Sequence, residues 1–219
     1  MTITGKTELV QLLYLQYMKA HQHIPPQKEG RQTDFGETVE TKNLEEAHQL
    51  FLMARAKMLD ITNWHNYCDG ASSKFGLVDK AGNLLHRSAQ IGDHFFIDLP
   101  ATPGSDAGDG LEWVVIEKIA EEGDINSEEE YIIMIVRPVP DPRKHEKEIA
   151  HFYSNISTST FIVSRIGLSV HAEVHGRNEV PNNHDVDLHD TIRNTAIALS
   201  ARIGLSGPQW KKLAKGLLE

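Results

Sequence analysis

Apolar and polar residues alternate with a period of two along residues 161–175, a pattern typical of a β-strand with one buried face. One side of this predicted strand carries Ile162, Ser164, Ile166, Leu168, Val170, Ala172 and Val174. The other side carries Val163, Arg165, Gly167, Ser169, His171, Glu173 and His175. We therefore predict one long strand with a largely polar face, followed by a turn over residues 176–183.

Residues 73–139 contain further β patterns, separated by short segments rich in glycine, proline or acidic residues. The predicted strands cover residues 75–78, 84–87, 94–99, 111–119 and 131–136. Every position of the last run is apolar, which favours a strand that is buried on both faces. Because the connections are short, we expect an antiparallel, meandering sheet of about six to seven strands, with residues 37–41 as a further candidate.

The helical patterns lie mainly before and after this sheet. Asn43 is a good N-cap for a helix that ends near Asp60, and a second helix is predicted after Asp141 and Pro142. Two packed helices, at residues 188–203 and 207–218, end the chain. Since helices flank the strands rather than alternate with them, the fold class is predicted to be α+β.

The order of these elements is similar to a helix-grip architecture, in which a curved antiparallel sheet wraps a C-terminal helix. That resemblance implies a shell that can enclose an apolar ligand cavity. We expect residues 43–219 to form a single α+β domain. Residues 1–42 are predicted to form an N-terminal helix and a surface arm or linker.

The composition of the 219-residue chain narrows the class of protein. The formal net charge of −9 is concentrated in residues 1–150, which argues against general binding to nucleic acid or to anionic membranes. No apolar run is long enough to cross a bilayer, and the single Cys68 fits a reducing compartment. We therefore expect a cytoplasmic protein whose partner is a small molecule or a second copy of the chain.

Four of the twelve histidines lie between residues 171 and 189, which makes this stretch the densest set of potential ligands in the chain. His171, Glu173 and His175 would point to one face of the predicted strand. Two imidazoles and one carboxylate suit zinc or another divalent metal, so these three residues are candidate metal ligands. The alternative is that they are the solvated residues of an outward face.

The candidate ligand-binding residues are Arg165, His171, Glu173, His175, Arg177 and Asn178. Arg177 has the planar fork that binds carboxylates or phosphates. Arg177, Asn178 and Glu179 could instead tie the predicted turn to the start of the following helix.

These observations leave three functional hypotheses and identify no catalytic residue. The first is non-catalytic binding of a small ligand or a protein partner. The second is a metal-dependent, hydrolase-like enzyme that uses His171, Glu173 and His175. The third is DNA binding through the two C-terminal helices, whose glycine-containing connection resembles a helix-turn-helix.

Overall fold

The computed structural model describes residues 18–68, 73–99, 105–145, 147–182 and 207–219. Seven strands form one sheet in the order β1-β7-β6-β5-β4-β3-β2, and each neighbouring pair is antiparallel. The strands are β1 (Arg31–Glu40), β2 (Lys74–Val78), β3 (His94–Asp98), β4 (Glu112–Glu122), β5 (Glu129–Pro138), β6 (Thr158–Ile166) and β7 (Ser169–Glu179). The predicted α+β class with a curved antiparallel sheet is confirmed.

Among the described residues, three α-helices accompany the sheet: α1 (Leu44–Leu59), α2 (Trp64–Tyr67) and α3 (residues 207–217). Short 3₁₀ helices lie at Ala20–His23, Ile61–Asn63 and Asp106–Gly108. Helix α1 begins as predicted, because the side chain of Asn43 accepts a hydrogen bond from the Glu46 backbone amide. The predicted helix at residues 188–203 lies outside the described residues, as does the predicted N-terminal helix before Met18. Within the described part of the chain, no helix is long and apolar enough to cross a membrane.

Helices α1 and α3 pack on one face of the sheet, which we call the inner face. Helix α1 contributes Ala47, Phe51, Ala54 and Met58 to the core, and α3 contributes Leu213, Ala214 and Leu217. Alternate residues of the long strands meet them, among them Ile132, Met134, Phe161, Val163, Ala172 and Val174. This inner face holds the main hydrophobic core.

The opposite face of the sheet, the outer face, is covered in part by residues 18–30, which we call the arm. Ala20 and Ile24 of the arm pack on a second apolar cluster formed by Tyr131, Ile133, Ile135 and Ile162. Strand β5 therefore buries both of its faces, which confirms the prediction for residues 131–136. Strand β1, which follows the arm, is an edge strand of the sheet.

The predicted long strand at residues 161–175 is instead a hairpin, β6 and β7. Ile166 pairs with Ser169, so Gly167 and Leu168 form a two-residue turn, in which Gly167 has a φ of 58°. Residues that pair across two strands lie on the same face of the sheet. Because 166 is even and 169 is odd, the odd-numbered residues of β6 share a face with the even-numbered residues of β7. As a result, Ile162 lies on the outer face with Glu173, whereas Arg165 lies on the inner face opposite Val170. The sequence pattern had placed Arg165 on the same face as His171, and that placement was wrong.

Three other local predictions were also wrong. Residues 84–87 do not form a strand, since Leu84 makes only an isolated bridge with Val78. The predicted turn at residues 176–183 begins later, because β7 continues to Glu179. The described residues between Pro142 and Ser157 form no helix, because Ala150 and Phe152 use backbone groups to bond the sheet and its loops. Tertiary hydrogen bonds thus replace helical ones in that segment.

Helix α3 lies so close to α2 that a side chain at position 216 has no room. A Cβ atom on Gly216 would meet the backbone of Tyr67, and Lys57 Nζ donates a hydrogen bond to the Gly216 carbonyl oxygen. We expect Gly216→Ala to lower the free energy of unfolding by about 1–3 kcal/mol despite the higher helix propensity of alanine. Urea denaturation measures this loss, and Lys212→Ala on the exposed side of α3 is the control, with a change within about 0.5 kcal/mol. An unchanged stability of Gly216→Ala would contradict this packing.

Candidate functional site

The outer face of β7 carries a compact group of two histidines and one carboxylate. Glu173 and His175 project from β7, and His21 reaches them from the arm. The distance from His21 Nε2 to Glu173 Oε2 is 2.7 Å, and the distance from His175 Nε2 to the same oxygen is 3.7 Å. One ligand-type atom from each residue lies within 4.8 Å of the other two. We call this group the histidine–glutamate cluster.

Strand pairing holds the cluster in place, because β7 lies between β1 and β6 in the sheet. His175 Nδ1 is 2.6 Å from Asp34 Oδ1 on β1, and Arg177 Nη2 is 2.7 Å from the same oxygen. The contact with Asp34 orients the imidazole of His175 toward the cluster. His175 Nε2 is buried and has no hydrogen-bond partner, since 3.7 Å from Glu173 is too long for a hydrogen bond.

The charges in the cluster shift the pKa values of its members in opposite directions. Burial raises the pKa of Glu173, but contacts with His175 and His21 outweigh burial and the net pKa is lowered. Burial lowers the pKa of His175, but the carboxylates of Asp34 and Glu173 outweigh that effect and the net pKa is raised. The cluster therefore favours an ionised carboxylate and a positive charge beside it.

His171, the third predicted metal ligand, lies on the same face but outside this group. Its Nδ1 atom is 2.9 Å from Thr38 Oγ1, and burial lowers the pKa of its ring. The structure thus brings together Glu173 and His175 of the predicted set and adds His21 to them. No sequence signal pointed to His21, which is 152 positions away from Glu173 and lies in a short 3₁₀ helix of the arm, Ala20–His23.

Arg165 is held on the inner side of the sheet by a buried ion pair. Its Nε atom donates to Glu130 Oε2 at 2.9 Å, and both side chains are only 1% exposed. His48 of α1 also contacts Glu130, at 2.8 Å. The guanidinium of Arg165 therefore faces away from the histidine–glutamate cluster.

Arg177 and Asn178 make anchoring contacts with β1 and the arm, whereas the helix to which the prediction tied the turn lies outside the described residues. Arg177 donates to the backbone carbonyl oxygens of Thr33 and Gly176 in addition to its contact with Asp34. Asn178 has a φ of 54° and bonds the arm through its side chain, which accepts from the Lys28 amide and donates to the Pro26 carbonyl oxygen. These two residues fasten the arm and β1 to the end of β7.

A cavity of about 1070 Å³ opens beside the cluster, and we call it the outer cavity. It lies between β1, the β4–β5 connection and the β6–β7 turn. Its apolar lining comes from Met18, Leu44, Ile125 and Ile166, and its carboxylates are Glu37, Glu40, Glu128 and Glu173. His171 and Arg165 also border the cavity, so three of the predicted ligand-binding residues meet here.

A second, much smaller space lies on the inner face beside Trp210 of α3. It has a volume of about 40 Å³, which is room for only a few water molecules. Two buried polar atoms of its lining residues, Glu179 Oε2 and Gln209 Nε2, have no hydrogen-bond partner. Burial raises the pKa values of Tyr153 and Glu179, which also line this space. In this conformation the inner space is too small for an organic ligand.

No protein-family model matches the chain. No curated protein matches it either. Among solved structures, the chain is similar to TTHA0849 from Thermus thermophilus, with 12% identity, a TM-score of 0.40, and 86% of this chain and 94% of that chain covered. It is also similar to a START superfamily protein from Mycobacterium smegmatis, with 10% identity, a TM-score of 0.33, and 84% and 99% covered. A third similar structure is Ara h 8.0201, with 10% identity, a TM-score of 0.33, and 86% and 99% covered.

Proposed function

We propose that this protein binds a small, cationic amphiphile in the outer cavity and does so without catalysing a reaction. The main support for this proposal is the size and lining of the outer cavity. Its volume of about 1070 Å³ reaches the size of cavities that accept organic ligands, which is roughly 300–1000 Å³. Its lining mixes apolar side chains with a few polar groups, as such sites do.

The charge of the lining selects the kind of ligand. Of the four lining carboxylates, Glu37 is 3.9 Å from Lys211 and Glu173 contacts His21, so Glu40 and Glu128 supply most of the negative charge. Arg165 is the only cationic side chain among the described lining residues. The charge of Arg165 is already paired with Glu130. Since burial lowers the pKa of His171, its ring is neutral at pH 7 and adds no positive charge. The outer cavity is therefore negative and favours a ligand with an ammonium-type group.

The apolar part of the lining favours a ligand with a hydrocarbon body. Met18 and Leu44 supply apolar surface from the arm and from the start of α1, and Ile125 and Ile166 supply it from the two hairpins. Burying a hydrocarbon chain against them stabilises the complex by about 25 cal/mol for each Å² of apolar surface. A linear amine of moderate chain length combines both features.

Three probes with the same eight-carbon chain separate the effects of charge and burial: octylammonium, octanol and octanoate. By isothermal titration calorimetry we expect octylammonium to bind about tenfold more tightly than octanoate. The variant carrying both Glu40→Gln and Glu128→Gln should reduce this preference severalfold, because it removes two of the lining carboxylates. Asp106→Asn makes the same kind of charge change at an exposed residue outside the cavity lining and should leave the preference unchanged.

Two results would refute the proposal. One is equal affinity for the three probes, because a charge-selective cavity cannot treat them alike. The other is an octylammonium affinity that does not respond to the double substitution, because the ligand would then bind elsewhere.

A further inference from the structure

We propose that His21, Glu173 and His175 bind one divalent transition-metal ion of the zinc type. Two imidazole nitrogens and one carboxylate oxygen form a donor set that suits zinc, and three protein ligands leave a fourth position for water or another ligand. This site goes beyond ligand binding in the outer cavity: Glu173 borders both, but His21 and His175 are not part of the cavity lining.

The spacing of the donor atoms is close to that of a tetrahedral site. Ligands at about 2.0–2.1 Å from zinc lie roughly 3.3 Å from one another in a tetrahedron. The two measured distances to Glu173 Oε2, 2.7 Å from His21 and 3.7 Å from His175, lie on either side of that value. Shifts of about half an ångström in side chains would therefore bring both distances to that value, and the donor atoms of His21 and His175 already lie within 4.8 Å of each other.

The unpartnered Nε2 nitrogen of His175 also indicates a cation at this site. This side chain is 9% exposed, and its Nε2 atom is buried without a hydrogen bond while it faces Glu173 Oε2. When the ring is neutral and Nδ1–H donates to Asp34, Nε2 carries a lone pair that points toward a carboxylate. A cation between the two atoms removes that repulsion and satisfies the nitrogen.

The surroundings of His175 are also those of a metal-bound histidine. Histidine ligands usually donate their second ring N–H to a carboxylate or carbonyl group, which orients the ring and strengthens its binding. Asp34 provides that carboxylate at 2.6 Å, and Arg177 holds Asp34 in turn at 2.7 Å. The chain thus contains both the ligands and an outer carboxylate that supports one of them.

The competing explanation is a metal-free clasp that ties the arm to the sheet. In that case His175 is doubly protonated beside Glu173, and the hydrogen bond between His21 and Glu173 has no role beyond holding the arm. Glu173→Gln separates the two explanations. Its amide oxygen can still accept a hydrogen bond from His21, but a neutral amide is a much weaker zinc ligand than a carboxylate.

The test uses the full chain, prepared without a polyhistidine tag, stripped with a chelator and titrated with Zn²⁺. We expect one equivalent to bind, and Co²⁺ in its place should give the strong visible absorption of a four-coordinate ion. His21→Ala and Glu173→Gln should each weaken binding at least about tenfold. His21→Ala is the decisive variant, because it alters the arm and leaves the sheet and the outer cavity lining intact.

Two matched controls accompany these variants. His171→Ala removes a histidine from the same face of β7, and His23→Ala removes one from the same arm. Both should bind Zn²⁺ like the unaltered protein. The proposal is overturned if the stripped protein binds no Zn²⁺ at micromolar concentrations, or if His21→Ala binds it as tightly as the unaltered protein. Because octylammonium binding is measured separately, failure of the metal site and failure of the outer cavity give different results.

Discussion

Replacing Arg165 with methionine should lower the free energy of unfolding by about 3–5 kcal/mol, measured by urea denaturation. The substitution leaves the carboxylate of Glu130 in a site where both side chains are only 1% exposed. Arg165 also donates to three carbonyl oxygens, those of Asp124, Ser127 and Gly167. These contacts join the β4–β5 connection to the β6–β7 turn, so their loss adds unpaired polar groups to a buried carboxylate that keeps its contact with His48.

Arg55 provides the matched control for this prediction. It forms a two-pronged ion pair with Glu121, but the two side chains are 34% and 42% exposed. Arg55→Met should therefore cost no more than about 1 kcal/mol, because solvent screens the pair. Combining Arg165→Met with Glu130→Leu should recover part of the loss, since the buried charge is then absent. If Arg165→Met and Arg55→Met have similar effects, the buried ion pair does not have the role assigned to it.

The second large effect is expected for Trp64→Ala, which should also cost about 3–5 kcal/mol. The indole of Trp64 is fully buried and contacts four aromatic rings at centroid distances of 4.9–6.4 Å: Phe75, Phe95, Phe161 and Trp210. Its Nε1 atom donates to the carbonyl oxygens of Lys57 and Met58 at the end of α1. The side chain therefore joins α1, α3 and the inner face of the sheet, and its removal leaves a large cavity.

Trp64→Phe tests the cause of this loss. Phenylalanine keeps much of the aromatic packing, so Trp64→Phe should retain a substantial part of the stability. Leu84→Ala removes an apolar side chain that is 58% exposed and should change the stability by no more than about 0.5 kcal/mol. A cost below about 2 kcal/mol for Trp64→Ala would contradict the central position of this residue.

Much of the fold could be predicted from local patterns. The N-cap at Asn43, the span of α1 and the doubly buried β5 all have short-range signatures, and the structure contains each of them. The hairpin of β6 and β7 had no such signature. A two-residue turn does not interrupt the alternation of apolar and polar residues. It nevertheless changes the residues that face the core from the odd-numbered ones in β6 to the even-numbered ones in β7. Arg165 was therefore assigned to the wrong face, although its neighbours in sequence were identified as strand residues.

The candidate site shows the same division between local and long-range information. Residues on one strand at alternate positions share a face, so His171, Glu173 and His175 could be grouped from their spacing alone. Thr38 lies beside His171, whereas His21 lies beside Glu173, and both contacts come from distant parts of the chain. The alternation at residues 171–175 does not indicate which distant residue contacts each of these side chains.

The sequence by itself determined the α+β class, the main elements and the polar face of β7, because capping, periodicity and turn chemistry act between near neighbours. Only the tertiary structure decided which side chains meet on that face. The arm brings His21 to Glu173, and β1 brings Asp34 to His175. These contacts join residues 152 and 141 positions apart, and they form only because the sheet pairs β1 with β7 and leaves its outer face open to the arm.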